Sequence, residues 1–337
     1  MKLRAARLTP GRMLSVLAVL SAGLLATLVA AMAFGSVRID WTRALDLSHP
    51  ETSDFRILVR TRIPRVLLGV AVGGGLAAAG AALQALLRNS LASPDVIGVS
   101  GGASVGAILV LALGGSGWIT LPAAAFLGSL AAIGFIVRLS TVRGRLHPYS
   151  LLLVGVIVNT IAAAVVMLVS SLVESAQAQG VLFWLSGSLA QHDYVLVLAI
   201  LGIMLAASAV LWAQARSLNL LALGEEAAAQ LGTDVSVVRR RTFLASALLV
   251  GAAVSVSGVI GFVGLIVPHC LRLVLGPDQR LLVPASFLGG AMFLVAADLV
   301  ARVLVAPTEI PVGVVTALCG GPFFIFLLRR QEGARSW

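Results

Sequence analysis

The sequence predicts an all-α polytopic membrane protein, and three observations support this prediction. Apolar residues make up 59% and charged residues 11% of the 337 positions, and the mean hydropathy is +1.04. Soluble domains carry roughly twice that charged fraction. Long apolar stretches alternate with short basic loops, and Lys2 is the only one of the 24 basic residues that is not arginine. We therefore predict a single transmembrane domain, residues 1–337, with ten membrane-spanning helices.

Most of the predicted spans have the length that a bilayer requires. A hydrocarbon core of about 30 Å takes about 20 residues of α-helix. The first stretch, 13–34, is longer than the apolar core of a cleaved signal peptide, so we expect it to remain as a helix. The single-crossing stretches are 13–34, 64–87, 96–114, 118–138, 150–172, 194–213, 281–304 and 311–328.

The stretch 242–275 is too long for one crossing. As a continuous helix it would extend about 51 Å, and arginines lie near both of its ends. Two shorter helices that turn near Ser257 and Gly258 would satisfy both facts. This hairpin brings the number of predicted spans to ten.

The distribution of arginines predicts the orientation. With ten spans both termini lie on one side, and that side carries seventeen basic residues against seven on the other. The positive-inside rule therefore places both termini in the cytoplasm. Six of the seven outside arginines fall within 38–65, a concentration that requires an explanation. Because most of the basic residues sit in the loops, the net charge of +10 does not indicate nucleic acid as a partner.

A short apolar segment lies between the fifth and sixth spans. Its residues, 180–189, are too few to cross a bilayer. Backbone that enters the membrane without crossing it has to line protein or water. We therefore predict a half-helix at the mouth of a cavity.

The cytoplasmic loop 217–235, between the sixth and seventh spans, combines leucines with paired carboxylates. Gly224 and Gly232 stand at helix-stop positions, and Glu225 and Glu226 open the second piece, where acidic residues favour a helix N-terminus. Two short helices could lie on the membrane or dock into a soluble partner, and the acidic pair suits a protein groove better than anionic lipid. The leucines expected to be exposed are Leu218, Leu220, Leu221, Leu223 and Leu231.

The sequence does not indicate catalysis or a resident metal. The G-x-x-x-x-G-K-[ST] phosphate-binding motif is absent, and the histidines form no metal-ligand spacing. Asp298 is the only acidic residue deep in a predicted span, and Arg302 follows it by one helical turn. The carboxylate could be a proton site or one half of an ion pair near the outer surface, and we favour the ion pair.

Five motifs occur in the order known from one family. They are Arg62-Ile-Pro-Arg65, the run 84–98, Leu223-Gly-Glu-Glu226, the run 261–272 and Glu309-Ile-Pro-Val-Gly313. Between about residues 55 and 330 the chain resembles the FecCD-type permeases, which include the vitamin B12, iron–siderophore and heme importers of bacteria.

The resemblance implies a transport complex in the bacterial inner membrane, surrounded by lipid. Such permeases have ten helices per subunit and form homodimers, with the translocation path on the two-fold axis. Two cytoplasmic ATPase subunits bind below, and one periplasmic substrate-binding protein docks above. ATP and Mg²⁺ would belong to the ATPase subunits, and this chain would bind no cofactor of its own.

The resemblance also implies docking residues on both sides of the membrane. Arg62, Arg65 and Arg302 match arginines that meet glutamates of the binding protein, and exposed guanidinium groups suit carboxylates. This match would explain the outside excess of positive charge. The residues that match the coupling helices held by the ATPase are Leu223, Gly224, Glu225 and Glu226.

Two loops match positions that close the cytoplasmic end of the path. The first contains Asn89, Ser90 and Leu91, and the second contains Pro148 and Tyr149. The family usually has proline at the position of Ser90 and small polar residues at those of Pro148 and Tyr149. The shape or timing of closure could therefore differ in this chain.

The resemblance further implies a cavity lined by Asn159 on the fifth span and by Phe183 and Trp184 on the half-helix. The two aromatic side chains could instead pack against lipid or neighbouring helices. Aromatic and aliphatic walls suit a large, flat or greasy cargo. From the overall likeness to heme importers we expect heme, with a ferric siderophore or cobalamin as alternatives.

The mechanism implied is ATP-driven alternating access between two packed states. An ion-gradient-driven secondary transporter is the alternative from another class. It would need titratable groups inside the membrane and half-helix repeats in both halves of the chain, and Asp298 alone supports it poorly.

Overall fold

The computed structural model describes residues 9–46, 48–115, 117, 119–189 and 193–333. Several basic residues used in predicting the orientation, Lys2, Arg4, Arg7 and Arg335, lie outside this part of the chain. The long elements are all α-helices, which confirms the predicted class. The helices are α1 Pro10–Ala33, α2 Trp41–Ala44, α3 Ser53–Arg56, α4 Ile63–Leu86, α5 Val99–Ala112, α6 Thr120–Ser140, α7 Pro148–Leu172, α8 Ser175–Leu185, α9 Tyr194–Ala213, α10 Ala215–Leu221, α11 Glu225–Gln230, α12 Val235–Ser257, α13 Val263–Leu275, α14 Gln279–Val303 and α15 Val312–Gly333.

Short segments complete the described structure. A π-helical segment, Ile57–Arg62, joins α3 to α4, and a 3₁₀ turn, Pro94–Ile97, precedes α5. The two-residue strands β1, Thr141–Val142, and β2, Arg145–Leu146, pair in an antiparallel turn between α6 and α7.

Every predicted single-crossing stretch overlaps one helix, and that helix is long in every case except α5, which has 14 residues. Within the described residues, six helices are long and apolar enough to cross a bilayer, and α5, α13 and the segment Val312–Ile325 are shorter apolar helices. The predicted span 118–138 begins at Trp118, which lies outside the described residues, and its helix, α6, starts at Thr120. The total of ten crossings stays a prediction.

The long apolar stretch 242–275 breaks where the sequence predicts. Helix α12 ends at Ser257, and α13 begins at Val263. Gly258 has φ +65° and Phe262 has φ +69°, so the backbone leaves the helical region at both ends of the linker. The prediction of two helices in place of one is confirmed.

The half-helix lies earlier in the chain than predicted. Helix α8 covers Ser175–Leu185 in place of 180–189. Gly187, with φ +74°, follows its end, and the Ser188 amide donates to the Ser257 carbonyl over 2.8 Å. A glycine in the left-handed region ends a helix, so the residues after Ser186 connect α8 to the end of α12.

Helix α4 forms the centre of the bundle. All but a few of its side chains are buried, and it packs against α9, α12, α13 and α14. Gly73 lies against Gly290 of α14, and Gly80 lies against Gly264 of α13, with no space for a β-carbon at either contact. Small residues allow membrane helices to approach closely, so these glycines fix the central packing.

Side-chain bonds connect the loops at one end of the bundle. Arg239 at the start of α12 donates to the carbonyl of Leu146, 2.7 Å away. Arg12 at the start of α1 donates to the carbonyl of Leu275, 3.2 Å away. We call this the inner end; it holds the last residues of α4, α9 and α13 and the first residues of α1, α12 and α14.

The opposite end, which we call the outer end, holds the last residues of α1 and α14 and the first residues of α4, α9 and α15. Arg302 of α14 donates to the carbonyl of Phe34, 3.4 Å away, and the Tyr194 hydroxyl donates to the carbonyl of Val59. The names inner and outer follow the predicted orientation.

Candidate functional site

Three arginines converge at the outer end. Arg62 closes the π-helical segment, Arg65 lies in the first turn of α4, and Arg302 lies in the last turn of α14. Arg62 is only 4% exposed, Arg65 8% and Arg302 3%. The expectation of exposed guanidinium groups is therefore wrong, because these side chains are held inside the bundle.

Two carboxylates hold the arginines. Arg65 Nε lies 2.9 Å from Asp298 Oδ1, and Arg302 Nε lies 3.0 Å from Asp298 Oδ2. Arg65 Nη1 also lies 2.7 Å from Glu309 Oε2. The predicted ion pair of Asp298 and Arg302 is confirmed, with Arg65 as a further partner that sequence spacing could not reveal.

Backbone carbonyls at and just after the end of α1 accept further arginine donors. Arg62 donates to the carbonyls of Met32 and Val37, and Arg302 donates to that of Ala31, 3.2 Å away. Hydrogen bonds and opposite charges of this kind offset part of the cost of burying a guanidinium group.

A pocket of about 200 Å³ opens over this cluster. Arg62, Arg65, Arg302 and Glu309 line it, and the Glu309 side chain is 42% exposed. Three guanidinium groups against two carboxylates leave one excess positive charge. The pocket can therefore accept a carboxylate from outside, and the docking role of the arginines stays a prediction.

The loop at the inner end folds as two short helices, α10 and α11. Gly224, with φ +119°, separates them as predicted. Leu223 and Leu231 are exposed, whereas Leu218 and Leu221 are buried, so the expectation of five exposed leucines is wrong. The buried pair anchors α10 to the bundle and leaves Leu223 as the exposed apolar tip.

The acidic pair of this loop has two different environments. Both side chains are exposed, but Glu225 Oε1 lies 2.5 Å from Arg239 Nη2, whereas Glu226 makes no ion pair with the described residues. A cleft of about 400 Å³ runs beside both carboxylates and Asp234. Glu225 therefore helps to fix the loop, and Glu226 is the carboxylate available to a partner.

Asn219 attaches α10 to the start of α14. Its Nδ2 donates to Asp278 Oδ1 over 2.8 Å, and its Oδ1 accepts from the Gln279 amide over 2.8 Å. Hydrogen bonds from Arg280, and then the one from Asn219, hold the pKa of the Asp278 carboxyl below its usual range. Sequence reasoning missed Asn219; the signal was Asp278, an N-cap residue before an apolar helix.

A cavity of about 540 Å³ opens between α5, α7 and α8. Its wall includes Asn159, Ser104 and Leu182. Of the three predicted lining residues, only Asn159 is in this wall. Phe183 is exposed beside the cavity, and Trp184 packs against the core, as the alternative interpretation of the aromatic pair requires.

Asn159 also connects three segments. Its Oδ1 accepts from the Gly101 amide over 3.0 Å, and its Nδ2 donates to the Asp95 carbonyl over 2.8 Å. The Asp95 carboxylate accepts from Ser93 Oγ over 3.0 Å. Asp95 lies within the quoted run 84–98, but sequence reasoning did not single it out, because its partners are distant in sequence.

The predicted gate residues lie at the inner end, but only Asn89, Ser90 and Leu91 are in a loop; Pro148 and Tyr149 belong to the first turn of α7, and not to the loop before it. Asn89 accepts from the Leu91 amide over 2.9 Å, so this turn is fixed by its own side chain, and Ser90 is half-buried within it. Pro148 opens α7, and Tyr149 is 91% exposed. Their gating role stays a prediction.

A multi-pass helical bundle with a membrane cavity is the architecture of a membrane permease. The described residues contain no group of three or more His, Cys, Asp or Glu side chains that could hold a metal ion. The sequence profile of the FecCD transport family matches residues 23–330, so the chain belongs to this family. It is therefore the permease subunit of an ABC importer and not an enzyme, as the sequence predicts.

Named relatives agree with this assignment. The chain is 44% identical to the cobalamin import system permease protein BtuC of Halobacterium salinarum, over 88% of this chain and 79% of the relative. It is 41% identical to the hemin transport system permease protein HmuU of Yersinia pestis, over 93% and 96% of the two chains. A metal-chelate type ABC transporter solved in an inward-facing conformation matches with a TM-score of 0.82 and 31% identity, over 94% of this chain and 99% of that one.

An ABC importer permease of this family works with ATPase and substrate-binding partners. The two permeases have similar identity to the chain, although the cargoes in their names, cobalamin and hemin, differ. The family membership therefore identifies the class of transporter but not its cargo.

Proposed function

We propose that two copies of this chain form the translocation path of a bacterial inner-membrane importer that moves heme from periplasm to cytoplasm. Each copy crosses the membrane ten times and has both termini in the cytoplasm. A periplasmic binding protein delivers the cargo, and two cytoplasmic ATPase subunits, which bind ATP and Mg²⁺, drive alternating access.

The open side of the cavity supports the pairing of two copies. Ser100, Ser104, Ser170 and Ser171 line it together with Asn159. Polar groups at membrane depth face protein or water and not lipid. A second copy on this side would enclose the cavity, and a two-fold axis beside α7 would bring the two halves of one path together.

The proposal of ATP-driven transport rests on the cytoplasmic loop 217–235, which we call the coupling loop. Leu223 and Glu226 project from the inner end, whereas Asn219 and Glu225 bind the loop to the bundle. A partner that moves this loop therefore pulls on α14 through Asn219 and Asp278. Helix α14 extends to the outer end, where Asp298 and Arg302 lie, so one rigid element connects the two docking surfaces.

Heme is the preferred cargo on two grounds. The hemin permease of Yersinia pestis matches this chain over 96% of its own length, whereas the cobalamin permease of Halobacterium salinarum matches over 79%. The mainly apolar walls of the cavity also suit a flat macrocycle better than a ligand that needs many hydrogen bonds. Cobalamin and ferric siderophores are the competing cargoes.

Reconstitution tests both parts of the proposal. Proteoliposomes with the permease, its ATPase and its binding protein should accumulate heme when ATP is supplied without an ion gradient. Uptake driven by a gradient without ATP would contradict the mechanism. Preferential uptake of cobalamin or a ferric siderophore would contradict only the cargo.

Glu226→Arg tests the coupling loop directly, because this carboxylate is exposed and the ion pair of Glu225 is left intact. The variant should no longer purify with the ATPase. Glu174→Arg, the same charge change at an exposed position just before α8, is the matched control and should assemble normally. Normal assembly of both variants would show that the loop is not the ATPase contact.

A further inference from the structure

A groove of about 490 Å³ lies at the inner end, where α9 ends and α1 and α14 begin. Pro10 and Met13 of α1 form one wall, and Trp212, Arg216 and Arg280 form the other. None of the side chains that line the groove is acidic. The groove is distinct from the cleft beside Glu225 and from the cavity beside α7.

The groove carries positive charge that is not fully compensated. Arg216 is exposed and has no ion pair or hydrogen bond among the described residues. Arg280 forms an ion pair with Asp278, with its Nη2 2.6 Å from Asp278 Oδ2, and the arginine side chain is 44% exposed.

The remaining walls match the boundary between lipid tails and headgroups. Trp212 is half-exposed, and its indole nitrogen donates to the Arg280 carbonyl over 3.0 Å. Tryptophan is enriched where membrane helices meet the headgroup layer. Met13 adds an apolar floor, and α1 has only one buried residue, Ala31, so its outer surface is available to lipid along nearly its whole length.

The geometry points to an anionic phospholipid headgroup as the occupant of this groove. The phosphate would lie against Arg216 and Arg280 beside the N-terminus of α1, and the acyl chains would follow the exposed face of that helix. Basic pockets between helices on the cytoplasmic side bind such headgroups, and a helix N-terminus adds favourable charge for an anion. The N-terminal segment 1–8 carries Lys2, Arg4 and Arg7 and so has the wrong charge for this groove.

The test is native mass spectrometry of the full chain in detergent, titrated with phosphatidylglycerol or phosphatidylcholine. Phosphatidylglycerol should bind more tightly than phosphatidylcholine. Arg216→Gln should weaken phosphatidylglycerol binding about fivefold, the loss expected for one arginine near a lipid phosphate, and Arg216→Lys should keep most of the binding. Because Arg216 has no protein partner, neither change should disturb folding.

Arg138→Gln is the matched control, since Arg138 is an exposed arginine in the last turn of α6 and outside the groove. It should bind phosphatidylglycerol as the wild type does. Equal binding of the two lipids would overturn the proposal, and so would equal losses in Arg216→Gln and Arg138→Gln. Complete displacement of the lipid by excess inorganic phosphate would also overturn it, because the groove would then be a site for free phosphate.

Discussion

Asp298 holds two guanidinium groups in a part of the bundle that water hardly reaches. Its side chain is 3% exposed, and its contacts with Arg65 and Arg302 are 2.8 and 3.0 Å long. A buried carboxylate shared in this way compensates charges that arise on two different helices, α4 and α14. The residue is therefore a structural link at the outer end, and the favoured sequence interpretation of Asp298 as an ion-pair partner is confirmed.

Asp298→Asn should destabilise the fold strongly. The amide keeps the volume but leaves Arg302 without its counter-charge and Arg65 with Glu309 alone, and breaking a buried pair costs about 3–5 kcal/mol. Thermal unfolding in detergent measures the loss. Glu51→Gln is the control, since Glu51 makes a surface ion pair with Arg56 and is 86% exposed. Equal stability of the two variants would contradict a structural role for Asp298.

Glu309 occupies the position at which a carboxylate of the binding protein would meet Arg65. It is half-exposed, so removing its charge should cost little stability, whereas the charge of Arg65 would become available to a partner. Glu309→Gln should tighten binding of the substrate-binding protein about fivefold in dilute buffer, and the gain should fade at high salt. A binding assay at two ionic strengths measures it. Weaker binding would show that Glu309 positions Arg65 for docking.

At the scale of elements, the sequence predicted the long helices and the break in 242–275 because both depend on local patterns. Apolar length determines a span, and glycine at a positive φ ends a helix, as Gly224 and Gly258 do. The bounds of α8 were wrong because Gly187, and not the apolar run, ends it. The burial of Arg62, Arg65 and Arg302 could not be predicted, since Glu309 and the carbonyls at the end of α1 are distant in sequence.

The packing of α4 against α13 depends on Gly80, because a β-carbon there would overlap the carbonyl oxygen of Gly264. Gly80→Ala should therefore destabilise the fold by about 1–3 kcal/mol, as overpacking does. The readout is the midpoint of thermal unfolding in detergent. Gly134→Ala in α6 is the matched control, since a β-carbon there would meet nothing within 4 Å. A loss of stability in Gly134→Ala as large as in Gly80→Ala would exclude close packing as the cause.

At the scale of the whole molecule, one long helix of the described chain, α4, is buried along almost its whole length, whereas two other long helices, α1 and α7, are nearly bare. The bare faces differ in chemistry. Helix α1 exposes apolar side chains such as Leu14 and Val19, whereas α7 exposes apolar side chains and also borders a cavity that contains serines and Asn159. Lipid satisfies the apolar side chains of both helices but not the polar groups of the cavity. This asymmetry is what a subunit requires if α1 faces the bilayer and α7 faces another copy.

Cysteine cross-linking tests this asymmetry. Met167 on α7 is 73% exposed and borders the cavity, and Leu14 on α1 is 74% exposed, so the two sites are equally accessible. The background is a chain in which Cys270 and Cys319 are replaced by serine. In membranes treated with a short bis-maleimide, Met167→Cys should give a covalent dimer, because equivalent residues approach each other near a two-fold axis. Leu14→Cys should stay monomeric. A dimer from Leu14→Cys and none from Met167→Cys would place the subunit contact on α1. A second copy would then not enclose the cavity beside α7.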